Sequence, residues 1–149
     1  MPDKRTLERA EQDKREGKSP STQAGEFVRE EIHHIRAGKH GAASAKQAIA
    51  IGLSKARRAG VDLAAPKKGS VSEKTRKSAV RDSSRGHSRR KKAVSARRSR
   101  SSEAALKREP RSAASHKALS RQAKSAARTR KKSAATTQSR RTQSRRNAA

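Results

Sequence analysis

The sequence predicts a mainly α-helical chain in which a small helical hairpin, over residues 22–37 and 45–59, is followed by a long, largely disordered basic tail. Two observations predict this organisation. Large apolar residues recur at helical spacing between residues 22 and 63, whereas those of the later sequence are spaced too widely to form a helical or strand face. Residues 1–66 contain 13 Lys or Arg and nine Asp or Glu, and the remaining residues contain 28 and four. We therefore expect a polar N-terminal arm (1–21), the hairpin (22–66) and the tail (67–149).

The sequence of the N-terminal arm predicts only a weak helix, over residues 3–16. Leu7 is nearly its only apolar anchor, and Glu11 and Arg15 are spaced to pair across one helical turn. Gly17, Pro20 and Ser21 then predict a linker. We expect this arm to fray.

The two helices of the hairpin have clear apolar faces and end signals. Gly38 is placed to end the first helix, and Ser44 with Gln47 has the spacing of a capping box that opens the second. Gly60 would close the second helix, after which Val61 and Leu63 can fold back over the open end. The predicted hairpin core comprises Phe27, Val28, Ile32, Ile35, Ile49 and Leu53.

Two alternatives concern the second helix. The spacing of Ala48, Gly52 and Leu53 is that of the first helix and turn of a helix-turn-helix, but Arg58 occupies a position that this motif needs apolar. A continuous helix, with glycine allowing close packing, is the preferred interpretation. Ile51 points away from the apolar face, which predicts either a homodimer through the hairpin or a lone exposed side chain.

The tail is a low-complexity segment of Ser-Arg, Ala-Lys and Arg-Arg units. It ends in a tandem of TQSRR, at 137–141 and 142–146. Residues 112–135 are rich in helix-forming Ala, Lys and Arg, but like charges one turn apart oppose a helix in free solution. We expect coil in the free tail and partial helix in the bound tail, interrupted at Pro110.

The charge of the chain predicts a polyanionic partner. The chain has 41 Lys or Arg against 13 Asp or Glu, a net charge of +28, and only one aromatic residue, Phe27. Single-stranded nucleic acid is bound largely through aromatic stacking, so we expect duplex DNA, contacted mainly at phosphate, with compaction by many copies. The predicted contacts are Arg57, Arg58, Lys67, Lys68, Arg89, Arg90, Lys91, Lys92, Arg97, Arg98, Arg100, Arg128, Arg130, Lys131, Lys132, Arg140, Arg141, Arg145 and Arg146.

Residues 22–69 resemble a small family of basic bacterial domains that carry a KQAIAIALS-type core. The matching string here is KQAIAIGLS, residues 46–54, and Gly52 stands where the family commonly has alanine. Members are often described as DNA-binding, and the resemblance implies a bacterial origin. The basic charge, taken with this origin, predicts a histone-like, nucleoid-associated protein. The tail is similar in composition to the basic arms of linker histones and bacterial histone-like proteins.

No catalytic or metal-binding constellation is expected. The sequence lacks the nucleophile-elbow, phosphate-loop and dinucleotide-loop motifs and contains no cysteine. We therefore expect a protein that is not an enzyme and that binds no cofactor. Glu30 with His33, and Glu31 with His34, are spaced one turn apart near His40. We interpret them as solvated surface pairs rather than as metal ligands.

Two other functions stay open. The Ser-Arg units are also typical of RNA- or ribosome-associated proteins, and the hairpin could be a protein-interaction module that the basic arm only localises. No run of about 18 apolar residues occurs and the N-terminus has no apolar signal core, so we expect a cytoplasmic protein without a membrane partner.

Overall fold

Six α-helices and one 3₁₀ helix make up the part of the chain that the computed structural model describes, residues 2–88 and 95–146, with side chains described through residue 139. The prediction of a mainly helical chain is confirmed, and no strand occurs in the described ranges. The helices are α1 (Lys4–Arg15), α2 (Pro20–Arg36), α3 (Ala45–Arg58), α4 (Glu73–His87), α5 (Ala96–Arg108), the 3₁₀ helix (Arg111–Ala114) and α6 (His116–Arg146).

α2 and α3 pack against each other across a short turn. Ser19 caps α2 by accepting from the Thr22 amide at 3.4 Å, and Ser44 caps α3 by accepting from the Gln47 amide at 3.2 Å. Gly38 (φ 77°) and Gly60 (φ 93°) follow the last turns of the two helices in the left-handed conformation. Local sequence therefore sets both ends of each helix.

α2 and α3 approach each other closely at Gly52. A Cβ at this position would lie 2.6 Å from Val28 Cα, so only glycine fits without a shift of the backbone. α3 continues unbroken through Gly52 to Arg58, which excludes the helix-turn-helix alternative. Ile51 is half-buried, and the homodimer stays a prediction.

Two small clusters form the core. Phe27 packs with Ala10, Ala24, Ala56 and Val61 near the end of α3, with Leu53 and Leu63 partly buried beside them. Ile35 packs with Ala42, Ala48, Ala113 and Ala114 at the α2–α3 turn, with Ile32 beside them. Of the other predicted core residues, Val28 and Ile49 are half-buried.

The N-terminal arm is a packed helix rather than a weakly helical segment. Thr6 and Ala10 of α1 are buried against α2, whereas the predicted anchor, Leu7, is 37% exposed. Arg9 Nε lies 2.7 Å from Glu26 Oε2 and ties the two helices together. Pro20 and Ser21 belong to the first turn of α2 instead of a linker.

The prediction of a long, largely disordered tail from residue 67 is wrong, because most of the described part of this segment lies in α4, α5, the 3₁₀ helix and α6. The first of these helices, α4, packs on α3. Its small residues allow this contact: Ala79 is buried, and a Cβ on Gly86 would collide with the Arg57 carbonyl. Ser54 Oγ donates to Asp82 Oδ2 at 2.5 Å, which links the two helices through their polar side chains.

The segment around Pro110 also packs on the hairpin. The Gly41 amide donates to the Leu106 carbonyl at 2.9 Å, and Arg36 Nε donates to the Ala114 carbonyl at 2.9 Å. Ala113 and Ala114 are buried in the second core cluster. The tail therefore docks through alanines and backbone groups, and its large apolar residues contribute little. As predicted, no helix crosses Pro110.

Candidate nucleic-acid interface

α6 is a long helix whose charge is entirely positive. Its 31 residues span about 46 Å. They contain eleven Lys or Arg and no Asp or Glu. Within the described residues α6 contacts only α3 and the 3₁₀ helix, so most of its surface faces solvent.

The cations in the first half of α6 lie on one side. Five exposed residues are spaced alternately four and three positions apart, which at about 100° per residue places them within an arc of about 80°. We call this set the α6 stripe; its members are Lys117, Arg121, Lys124, Arg128 and Lys131.

The opposite side of α6 rests on the rest of the protein. Ala118, Leu119, Gln122 and Ala126 are half-buried, and helical geometry places them about 150° around the axis from the stripe. Packing of this face orients the helix so that the α6 stripe projects into solvent. The folded part of the chain thereby presents a line of positive charge.

The predicted contacts in α5 and α6 whose side chains the structure describes are exposed. Arg97, Arg98 and Arg100 are exposed on α5, and Lys67 and Lys68 are exposed in the loop before α4. On α6, Arg128, Arg130, Lys131 and Lys132 are exposed, and Arg140, Arg141, Arg145 and Arg146 lie in its last turns. Arg89, Arg90, Lys91 and Lys92 lie outside the described residues.

Arg57 does not belong to this surface. Its residue is 7% exposed, and its guanidinium donates from Nε to the Leu63 carbonyl at 3.3 Å and from Nη2 to the Ala64 carbonyl at 3.1 Å. Burial lowers the pKa of this guanidinium. Arg57 holds the loop after α3 in place, which corrects its predicted role in phosphate binding.

Arg58 is exposed but already engaged. Its Nε donates to the Ser54 carbonyl at 3.3 Å and its Nη2 donates to Ser54 Oγ at 3.1 Å, while Nε also lies 3.9 Å from Asp82 Oδ1. A phosphate would have to compete with these contacts.

Three members of the α6 stripe were missed by the sequence prediction, which selected clusters of adjacent basic residues. Lys117, Arg121 and Lys124 are isolated in the sequence and come together only on a helix. Their i, i+4, i+7 spacing was the available signal.

A second group of charged residues lies inside the hairpin, where the sequence predicted solvated surface pairs. Glu30 and Glu31 are 5% and 0% exposed. Lys55 Nζ lies 3.8 Å from Glu30 Oε1 and 2.6 Å from Glu31 Oε2. His33 is exposed, so the predicted Glu30–His33 surface pair is wrong.

His34 and His40 complete this buried cluster. His40 Nε2 lies 3.2 Å from Glu31 Oε1, and His34 Nδ1 lies 3.8 Å from Glu30 Oε1. Asp3 Oδ2 lies 3.2 Å from His34 Nε2, and this hydrogen bond lowers the pKa of Asp3. Two groups of side chains in this cluster are close enough to hold a metal ion. One group is Glu31, His34 and His40, and the other is Asp3, Glu30 and His34.

Comparison of the chain with protein-family models, curated proteins and solved structures finds no match. The resemblance of residues 22–69 to a basic bacterial family therefore stays a prediction. None of the described helices combines the length and the apolar character needed to cross a membrane.

Proposed function

We propose that the chain is a non-catalytic, histone-like protein that binds duplex DNA without sequence preference and helps to compact it in the bacterial nucleoid. The observation that carries this proposal is the α6 stripe, because a line of exposed Lys and Arg on a helix with no acidic residue matches the repeating negative charge of a phosphate backbone.

The dimensions of α6 support contact with phosphate. Lys117 and Lys131 are about 21 Å apart along the helix axis. The same length of duplex carries about 12 phosphate charges. The stripe therefore faces more phosphates than it has cations, and each of its side chains can find a partner without a defined register. This favours sequence-tolerant binding.

The placement of the single aromatic residue favours a duplex over a single strand. Phe27 is 1% exposed in the first core cluster, so it offers no surface on which a base could stack. Proteins that bind single strands depend on such surfaces. Binding to the regular backbone of a duplex needs no aromatic surface, because Arg and Lys side chains contact its phosphates directly.

Compaction follows from the balance of charge. Along its length of about 46 Å, α6 carries eleven cations. A parallel stretch of duplex carries about 27 phosphates. One helix therefore leaves most of the phosphate charge unneutralised, and several copies of the protein can share a stretch of DNA or bridge two duplexes.

Binding of labelled random-sequence duplexes, with ribosomal RNA as competitor, tests the proposal. We expect similar affinity for unrelated duplexes and weaker competition by RNA than by DNA at equal phosphate concentration. Preferential binding of the RNA would replace DNA with a ribosome-associated function. Failure to bind either at low salt would leave the protein-interaction alternative.

A further inference from the structure

The buried cluster at the α2–α3 turn has carboxylate oxygens that no hydrogen bond reaches. Glu31 Oε1 and Glu30 Oε1 are buried without a hydrogen-bond partner, whereas Glu31 Oε2 is compensated by Lys55 Nζ at 2.6 Å. A buried carboxylate left in this condition is unfavourable, and a cation bonded to it removes the deficit.

The two oxygens of Glu31 face different neighbours. Lys55 Nζ lies 2.6 Å from Oε2, whereas His40 Nε2 lies 3.2 Å from Oε1. Two donors that each lie about 2.1 Å from one tetrahedral ion are separated by about 3.4 Å. The Glu31–His40 separation is thus close to that of two ligands on one metal ion, and Lys55 does not occupy that side of the carboxylate.

Both histidines are oriented as metal ligands usually are. His40 Nδ1 lies 3.0 Å from the Gly41 carbonyl, and His34 Nε2 lies 3.2 Å from Asp3 Oδ2. When each of these nitrogens donates its proton to its oxygen partner, the other ring nitrogen keeps a free electron pair. Histidine ligands commonly donate their second N–H to a carbonyl or a carboxylate in this way.

The formal charge of the cluster suits a divalent ion. Asp3, Glu30 and Glu31 contribute three negative charges and Lys55 contributes one positive charge, leaving −2 with neutral histidines. In a chain with a net charge of +28, these three carboxylates, of which Glu30 and Glu31 are buried and Asp3 is exposed, are a local concentration of negative charge. One divalent cation brings it to neutrality.

A surface groove gives access to the cluster. The groove has a volume of about 470 Å³, and its lining includes Asp3, Glu30 and His34 together with four basic residues, Arg5, Arg9, Arg29 and Lys39. Among Glu31, His34 and His40, only His34 lines this groove. An ion could enter by this route without unfolding the hairpin.

We propose that Glu31, His34 and His40 bind one divalent transition-metal ion, of which Zn²⁺ fits best, and that the ion clamps α2 to the turn before α3. The ligand atoms of the three residues lie within 4.8 Å of one another. Two imidazoles and one carboxylate form a ligand set known for zinc, whereas Mg²⁺ and Ca²⁺ prefer oxygen donors. Water completes the coordination, and Asp3 positions His34.

Titration of untagged, EDTA-stripped full-length protein with Co²⁺ and then Zn²⁺ tests the site. We expect one equivalent of Co²⁺ to bind with the visible absorption of a four-coordinate ion and to be displaced by Zn²⁺. In imidazole NMR spectra, Zn²⁺ should shift the ring signals of His34 and His40 and leave those of His33, His87 and His116 in place. Absence of stoichiometric binding, or equal shifts of all five histidines, would overturn the proposal.

Matched histidine variants locate the ligands. His40→Ala should lower the Zn²⁺ affinity by at least about tenfold. His33→Ala, which removes an exposed ring from the same region, should leave the affinity unchanged. Equal affinity of the two variants would also contradict the proposal. Because the NMR pattern is measured on the wild-type chain, misfolding of His40→Ala would not weaken the test.

Discussion

Lys55 of α3 and Glu31 of α2 form an ion pair inside the hairpin, with Nζ 2.6 Å from Oε2 and the Glu31 side chain 1% exposed. Glu30 Oε1 lies 3.8 Å from the same ammonium. A single cation therefore compensates two adjacent carboxylates that the fold removes from water. Removal of one partner of such a pair is strongly destabilising, because the charge of the other partner stays buried without compensation.

Replacement of Lys55 by methionine should destabilise the protein by about 3 kcal/mol, because Glu30 and Glu31 lose their shared cation. Urea denaturation of the metal-free protein measures the change. Lys46→Met is the matched control, since Lys46 is an exposed lysine on the same helix, and it should change stability by less than about 0.5 kcal/mol. Equal effects of the two substitutions would show that the buried pair contributes nothing.

Gly52→Ala should destabilise the hairpin by about 1–3 kcal/mol, because the new methyl group would press into the Val28 backbone. Gly25→Ala provides the opposite case on α2. A Cβ at Gly25 meets nothing within 4 Å, so alanine should stabilise the helix by about 0.5–1 kcal/mol. Chemical denaturation of both variants checks the pair. A stabilising Gly52→Ala substitution would contradict the close contact between α2 and α3.

His87 should make the attachment of α4 dependent on pH. Its Nδ1 lies 2.9 Å from the Ser83 carbonyl and its Nε2 lies 2.7 Å from Asp62 Oδ1. These contacts raise the pKa of His87 above its ordinary value of 6.5, against smaller opposing effects of desolvation and of Lys14. Because the folded-state pKa is raised, the stabilisation is fully present below the unfolded-state pKa and is lost as pH rises through the folded-state pKa.

Thermal unfolding of the wild type and of His87→Gln between pH 5.5 and 8.5 measures this dependence. The wild type should be the more stable protein at pH 5.5, and the difference should shrink as the pH increases. Asp62→Asn should reproduce the loss at pH 5.5, and the double variant should lose no more than either single variant. A difference that stays constant with pH would exclude the titration of His87 as its cause.

The hairpin could be predicted because its determinants are local. Ser44, Gln47, Gly38 and Gly60 mark helix ends, and Phe27 and Ile35 mark a buried face, so the predicted ranges of 22–37 and 45–59 are close to Pro20–Arg36 and Ala45–Arg58. Capping and periodicity act over a few residues and need no tertiary information.

The docking of the tail was missed because it depends on small residues. Ala79, Ala113 and Ala114 bury little area each and are common in disordered basic sequences. Their burial is decided by backbone contacts with distant segments, such as the Gly41 amide on the Leu106 carbonyl. Nothing in the local pattern distinguishes these alanines from the exposed ones.

The burial of Glu31 could have been predicted from the sequence. Glu31 lies four residues after Phe27 and four before Ile35, so it falls on the same face of α2 as two buried apolar residues. The sequence prediction gave more weight to its charge than to this position. The convergence of Lys55, His40 and Asp3 on that face is a tertiary property that the sequence does not display.

Duplex DNA should stabilise α6 against thermal unfolding at low salt. Lys117 and Arg121, like Lys124 and Arg128, are like charges four residues apart on α6, and phosphate relieves the repulsion that weakens this helix. Thermal melting of the helical signal in far-ultraviolet circular dichroism, with and without a random duplex, measures the change. An unchanged melting temperature of a protein that binds the duplex would contradict contact through α6.

The most direct measurement is the salt dependence of duplex binding by a stripe variant in which Lys117, Arg121, Lys124, Arg128 and Lys131 are all replaced by glutamine. If all eleven α6 cations contact phosphate, the wild-type slope of log affinity against log salt is about −10. Removal of five of these contacts should make the slope of the variant shallower by about 4.5, to about −5.5. A control variant has glutamine at five exposed cations of the N-terminal region, Lys4, Lys14, Arg15, Lys39 and Lys46. The control should keep the wild-type slope, and equal slopes for the two variants would contradict binding through α6.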